Sequence, residues 1–501
     1  MGSSVNEFLA RAVRIPVHGI GLSVDAYSPD LLELHQALDR AGTRPDYLEI
    51  FKAPTPELTR IRAALPEVPL AYHAEGLWLT EPELQSKYPW TDAIETIARH
   101  AEAIGAGWVN HECAAKQFGG YSFGTYLPPL FTDAAARTTA ANAVAAQVEL
   151  DERYAQQDQA DSVPLLLLEL PPLTYFAFGD LTVSEFFARI LETCPCGLVL
   201  DIGHLWTVWW YRERRRFRSL EAFATDFLDA FPLDRVVQIH LAGLGVADGA
   251  RGNSSSGTLP CWVDAHAAPV PAVLFDLLRQ VLAHPGLTSL KGIALEVDTK
   301  AIPLSVEEFG RLRENVASQV TFSPSPISFP LRGESTGEGR HDDLPHLYQT
   351  YAHVVSGQEP LGTSALAPYA WGVDSEGLAR YTNHYLPNEL LHWGGDLADL
   401  FPAIWKKLEE GGISGGDFVR FWFKQPRPVT EPYDFFYVKL ERWVAFVGDV
   451  APDLVEEATR EAGVLRALHS ELNDEEMSTP SLALPPRGGG EGGGRSCMGR
   501  R

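Results

Sequence analysis

The sequence predicts a (β/α)8 barrel followed by a smaller, mostly α-helical region. Three observations carry that prediction. Eight short apolar runs alternate with amphipathic stretches before residue 310. From the third run onward, every run ends in Asp, Glu or His, as expected where barrel strands open onto a shared mouth. No GxGxxG follows the first run, which counts against a doubly wound open sheet.

In chain order, the first strand is expected at Gly19–Val24, before a helix near Pro29–Ala41. Tyr47–Phe51 is the second strand, with a helix near Pro56–Leu65, and Leu70–His73 is the third. The helix Thr91–Ile104 leads into strand four, Trp108–His111. A long Ala-rich helix around Asp133–Ala155 precedes Leu165–Glu169, whose unbroken aliphatic run reads as a buried strand. Helices at Thr182–Thr193, Leu220–Phe231 and Val270–Ala283 precede the last three strands, Gly197–Asp201, Val236–His240 and Gly292–Glu296.

Residues 1–322 thus form the expected barrel. Residues 323–345 are rich in Pro, Ser, Gly and charge and read as a linker. Residues 346–472 read as a helical domain, with amphipathic stretches at Leu347–Ser356, Ser375–Leu386, Leu397–Leu408, Asp417–Phe423 and Tyr433–Val447. Residues 473–501 are Gly/Arg-rich and expected to be disordered.

The 501 residues carry a formal charge of −25, which argues against a nucleic-acid partner bound through bulk electrostatics. Five cysteines are too few for a disulfide framework and favour a reducing cytoplasm. The N-terminus lacks a long apolar segment, and the most aliphatic stretch, Val163–Leu168, is too short to span a bilayer. No membrane partner is expected.

The strand endings supply the candidate site: His73, His111, Glu169, Asp201 with His204 one turn later, His240, and Glu296. Asp264 and His266 lie in the loop after the seventh strand. Any one of these taken singly is more often a helix cap or a surface ion pair. Nine converging on one mouth would repel or shift their protonation strongly unless a cation compensates. One ion takes about four to six ligands, so nine candidates fit two or three ions. Mixed His and carboxylate donors suit Fe, Mn or Zn, and open positions on such ions support either hydrolysis or O2 chemistry.

At these residues the sequence resembles the multinuclear non-heme iron-dependent oxidative enzymes, whose members include the B component of methanobactin biosynthesis. The matching stretches are GIGLS at 19–23, DYLEI at 46–50, AYHAEGL at 71–77, VNHECA at 109–114, LLLELPP at 166–172, LVLDIGH at 198–204, QIHLAG at 238–243, VDAHAAPV at 263–270 and ALEVD at 294–298. The resemblance implies a TIM barrel binding two or three iron ions through His73, His111, Glu169, Asp201, His240, Asp264, His266 and Glu296. His204 stands where the family commonly has Asn, and Leu170 replaces a further Asn. Asn110 stands where the family commonly has an acidic residue, with Glu112 two positions later. The implied reaction is a four-electron, O2-using oxidation of a Cys, or another residue, in a ribosomally made precursor peptide. His240, Asp264 and Glu296 are the expected catalytic ligands. The stretch 379–408, with Tyr381, Asn383, Phe401 and Pro402, is similar to the small partner proteins encoded beside these oxidases. It implies a peptide-recruiting partner fused in cis.

Two rival readings share these residues. A xylose-isomerase-like barrel would use a divalent metal for sugar isomerisation or hydrolysis. A non-catalytic scaffold would bind metal and peptide without turnover. The run Arg212–Arg218 reads as a solvated helix face or a contact for an acidic leader, and Cys497 as an incidental thiol or a tethered substrate.

Overall fold

In the computed structural model the described residues are 2–246, 262–316, 343–424 and 435–475, apart from 52, 88–89, 158–159, 174 and 393–394, with 319, 320 and 322 besides. Cys261, Cys497, residues 323–342 of the expected linker and residues 476–501 of the expected tail lie outside them.

Eight parallel strands close into a barrel: β1 Gly19–Val24, β2 Leu48–Phe51, β3 Leu70–His73, β4 Trp108–Glu112, β5 Leu165–Glu169, β6 Gly197–Asp201, β7 Val236–Leu241 and β8 Gly292–Glu296. Sequential strands are neighbours, and β1 pairs with β8 from Gly19↔Gly292 to Ser23↔Glu296. The expected strands stand within two residues of their boundaries.

Side chains alternate across a strand, and this parity decides what the interior contains. Tyr47, Ala71, Trp108, Leu165, Leu167, Val199, Val237 and Ala294 form an inner cluster with Phe8, Ala12 and Ile15. Phe8 and Ala12 come from an N-terminal helix, Gly2–Ala12, that the sequence reading did not anticipate. Gly292 leaves the room this cluster needs, since a Cβ there would stand 2.8 Å from the Tyr47 hydroxyl. The next inward positions toward the mouth are Glu49, His73, Asn110, Glu112, Glu169, Asp201 and Glu296. β7 carries one extra residue against β6, because Leu198 pairs with Val236 and Val199 with Gln238. That residue puts Gln238 and His240 on the inner face as well.

Two antiparallel hairpins extend the mouth. Ala115–Phe118 with Tyr121–Leu127 follows β4, and Leu244–Val246 with Trp262–Asp264 follows β7. The sequence analysis places neither of them.

The C-terminal helices are Leu344–Val355, Asp374–Arg380, Leu386–His392, Leu397–Leu400, Pro402–Glu410, Gly415–Trp422, Phe435–Val450 and Val455–Glu475. The linker expected to reach residue 345 ends sooner, because Asp343 caps the first helix through His346 N. The expected helix Leu397–Leu408 is two helices, broken at Phe401 where Pro402 takes the first helical position. The last helix runs through 473–475, which were expected to be tail.

These helices sit on the segments that follow β4, β5 and β6. Tyr351 Oη donates to Pro128 O at 3.1 Å and Trp422 Nε1 to Ser122 O at 2.7 Å. Asp374 accepts from Ala177 N at 3.1 Å, and Gly179 N donates to Tyr369 O at 2.8 Å. Phe118 stacks on Tyr351 with ring centroids 4.7 Å apart. Buried apolar residues of the barrel and the helices form one continuous cluster. Burial at about 25 cal/mol per Å2 is therefore the main term holding the helices over the mouth.

Candidate metal centre

The inward strand ends converge as the parity requires. Glu169, Asp201, His240 and Glu296 each offer a ligand atom within 4.8 Å of the others, and all four are buried. His240 is central: Nδ1 lies 3.1 Å from Glu169 Oε1 and 3.2 Å from Glu296 Oε1, and Nε2 lies 2.9 Å from Glu49 Oε1. His73 Nε2 is 3.4 Å from Glu169 Oε2 and 3.9 Å from Glu112 Oε2. Asn110 Nδ2 donates to Glu169 Oε2 at 2.5 Å.

The segments beyond β6 and β7 complete the group. Asp201 caps the helix Ile202–Val208 with Oδ1, accepting from His204 N at 2.5 Å. One oxygen thus does what a helix cap does, while Oδ2 is buried without a partner. His204 Nδ1 lies 2.5 Å from the Leu170 carbonyl, which leaves Nε2 aimed at Asp264 Oδ2, 3.2 Å away. The hairpin after β7 carries Asp264 opposite Leu244. His266 Nε2 then stands 3.0 Å from Asp264 Oδ2 and 3.3 Å from Glu296 Oε2, with Nδ1 3.1 Å from Asp298 Oδ2.

Eight of the nine expected ligands are therefore brought together. His111 is not among them. It lies between the inward residues Asn110 and Glu112, so alternation turns it to the outer face. There Nε2 accepts from Leu77 N at 3.0 Å and Nδ1 lies 2.7 Å from Glu112 O. Burial pushes its pKa down to about 4, the neutral state its backbone contacts need. Conversely, Glu49 and Glu112 belong to the cluster and were not in the expected set. The signal for Glu49 was present: a carboxylate between the apolar Leu48 and Ile50 of one strand.

Seven carboxylates face four imidazoles here, and the electrostatics reflect the surplus. Burial disfavours a charged His73, yet Glu112, Glu169 and Glu49 raise it to about 10. Against the same burial, His204, His240 and His266 are held well above the ordinary value by their carboxylate neighbours. Burial raises Asp201 to about 7, with Glu296, Asp264 and Glu169 adding to the effect against His204. Glu169 ends well below the ordinary carboxylate range, because His240 and His73 outweigh burial.

The donor set fits metal ions better than it fits itself. Glu49 Oε1 and His240 Nε2 approach closely but neither has a hydrogen-bond partner of acceptable geometry. Glu112 Oε2 and Asp264 Oδ1 are likewise buried and unbonded. Buried polar atoms without partners are costly, and several aimed into one space are what shared cations would satisfy.

Fold and site together define a TIM barrel with a multidentate, metal-type centre at the C-terminal ends of its strands. Over residues 18–316, more than half its length, the chain matches the RiPP precursor modification enzymes MbnB/TglH/ChrH, and it belongs to that family. A UPF0276 protein of Vibrio parahaemolyticus is 23% identical over 270 residues, covering 49% of this chain and 81% of that one. A UPF0276 protein of an Anaeromyxobacter species is 23% identical over 307 residues, covering 60% and 93%. Among solved structures, endonuclease IV of Thermus thermophilus covers 60% of this chain and 100% of its own at 17% identity, with a TM-score of 0.37. A D-allulose 3-epimerase of a Methylomonas species covers 60% and 99% at 15% identity, with a TM-score of 0.36.

Proposed function

We propose that this chain is a multinuclear non-heme iron enzyme that uses O2 to oxidise a Cys, or another residue, of a ribosomally made precursor peptide. The observation that carries the reading is the convergence of His73, Glu169, Asp201, His204, His240, Asp264, His266 and Glu296 at the mouth of a barrel of this family. Two or three irons would be held by these residues with Glu49 and Glu112, and would offer open coordination positions for O2 and pass to it the electrons that the oxidised residue gives up. His240 meets Glu49, Glu169 and Glu296, and His266 meets Asp264 and Glu296, so His240, Asp264 and Glu296 would set the position of the reacting residue. Asn110 fixes Glu169, and the Leu170 carbonyl fixes the His204 tautomer, as outer partners of ligands do.

The helices over the segments after β4, β5 and β6 would recruit the peptide in cis and limit water at the centre. No helix among the described residues is long and apolar enough to cross a membrane. The buried, unpaired thiols of Cys113, Cys194 and Cys196 are consistent with work in a reducing cytoplasm.

Anaerobic loading with ferrous iron, followed by Mössbauer spectroscopy and O2-uptake measurement, tests the reading. Two or three irons per chain and O2 consumption that requires a Cys-bearing precursor peptide are expected. Full occupancy by zinc alone, with no O2 uptake with any precursor peptide, would overturn it.

A further inference from the structure

Outside the metal centre, the most unusual charged group is Arg212. It stands in a wide, π-helical turn, Trp209–Glu213, where Arg214 N bonds back to Trp209 O at 2.8 Å. Such turns redirect a side chain that a regular helix would place elsewhere, and they concentrate at functional sites. The Arg212 side chain is 95% removed from solvent, at 5% exposure. Its guanidinium lies 3.8 Å from the Trp371 ring, and Nη2 donates to Gly179 O at 3.3 Å. Nε and Nη1 are buried without a hydrogen-bond partner. Asp374 and Glu213 are near enough to act on its charge but do not bond these nitrogens; the Asp374 oxygens accept from Ala177 N and Trp371 N.

Arg212 lines a cavity of about 350 Å3 with Arg215, Arg216, Trp371, Gly372 and Val373. Arg215 and Arg216 are more than half exposed and form loose ion pairs with Glu376 at 3.6 Å and Glu213 at 3.7 Å. The cavity lies at the seam where the segments following β5 and β6 meet the C-terminal helices. Buried N–H donors without an acceptor are costly, so the two on Arg212 call for an oxygen-bearing occupant. Guanidinium groups take carboxylates through paired N–H donors.

We propose that this seam cavity, walled by Arg212, Arg215, Arg216 and Trp371, binds a carboxylate of an acidic segment of the substrate peptide. The proposal rests on the peptide-modifying reading above and names the part of the peptide that is held. A chain of net charge −25 repels an acidic peptide over most of its surface, so attachment would be local to this arginine cluster. It would anchor the peptide on the rim while the reacting residue enters the mouth.

Fluorescence anisotropy of the full chain with a labelled hexaglutamate peptide tests this, with hexaglutamine as control. Hexaglutamate is expected to bind at least tenfold more tightly. The exposed pair R215Q/R216Q and the buried R212Q should each weaken it at least tenfold, and R212K should also weaken it, because a lysine ammonium lacks the paired N–H donors. Metal content should stay unchanged in all of them. Equal binding of hexaglutamine would overturn the proposal. So would full hexaglutamate affinity in R215Q/R216Q, a pair whose exposure keeps the fold safe. Displacement of hexaglutamate by an equal concentration of inorganic phosphate would assign the cavity to phosphate instead. None of these outcomes bears on iron loading or O2 uptake, so failure here and failure of the oxidase reading are distinct.

Discussion

The lower interior of the barrel and its mouth are built from the same strands, yet they hold buried histidines in opposite states. At the lower end His18 packs between Trp108 and Tyr47, with ring centroids 4.2 and 5.3 Å away. Burial pushes its pKa down to about 4 over the opposing pull of the Pro16 and Leu70 carbonyls. Beside it, Trp108 Nε1 donates to Gln238 at 2.8 Å, and Gln238 donates to the Tyr47 hydroxyl at 3.1 Å. One step along the same strands, His240 is also buried but stands among Glu169, Glu296 and Glu49, which raise its pKa well above the ordinary value against burial. Burial alone therefore does not mark a functional histidine; the balance of charge around it does. The two layers also touch, because the Trp108 indole bonds Glu49 Oε2 at 3.2 Å. The neutral layer thereby positions a carboxylate of the charged one.

The largest expected effect separates the layers by metal content. His240→Ala should lower metal affinity by more than about 100-fold, since a ligand matters at least as much as the partners behind it. His111→Gln should keep the metal and cost about 1–3 kcal/mol of stability through the Leu77 N–H it leaves unpaired. Plasma mass spectrometry and thermal melts of both variants would read this out. Metal retained in the first or lost in the second would erase the distinction drawn from strand parity.

A smaller effect tests the bridge between layers. Trp108→Phe removes the donor to Glu49 and Gln238 while keeping an aromatic ring. A fall of about tenfold in metal affinity is expected, seen by competition with a chelator. An unchanged affinity would leave Glu49 independent of the layer beneath it.

A third effect concerns pH and bears on the lower layer alone. The folded value for His18, about 4, lies below the ordinary 6.5, so the unfolded chain takes up its proton first as pH falls. Stability should drop between pH 6.5 and about 4, by roughly 3 kcal/mol from this residue. His18→Gln should flatten that part of the profile in denaturant titrations at stepped pH. An identical slope in both proteins would show that His18 is not held neutral.

The barrel was legible in the sequence because period and punctuation repeat eight times, and errors of a residue or two do not change the count. Glu169, Asp201, His240 and Glu296 were legible for the same reason: each closes an apolar run that could only be a buried strand. Glu49 was passed over because it lies inside its run rather than at the end. His111 was included because its place beside Asn110 and Glu112 could not reveal which of the three turns inward.

By itself, then, the sequence determined a parallel barrel whose strands end in metal-type donors, since hydrophobic period and residue chemistry are local properties. Only the tertiary structure decided which donors meet, because that depends on strand parity, on the extra residue in β7, and on a hairpin that returns Asp264 to the axis. It also decided that the Arg212 guanidinium is buried against Trp371 at a seam between two distant parts of the chain. No local pattern encodes that, because the two residues stand 159 positions apart and meet only when the helices settle on the barrel.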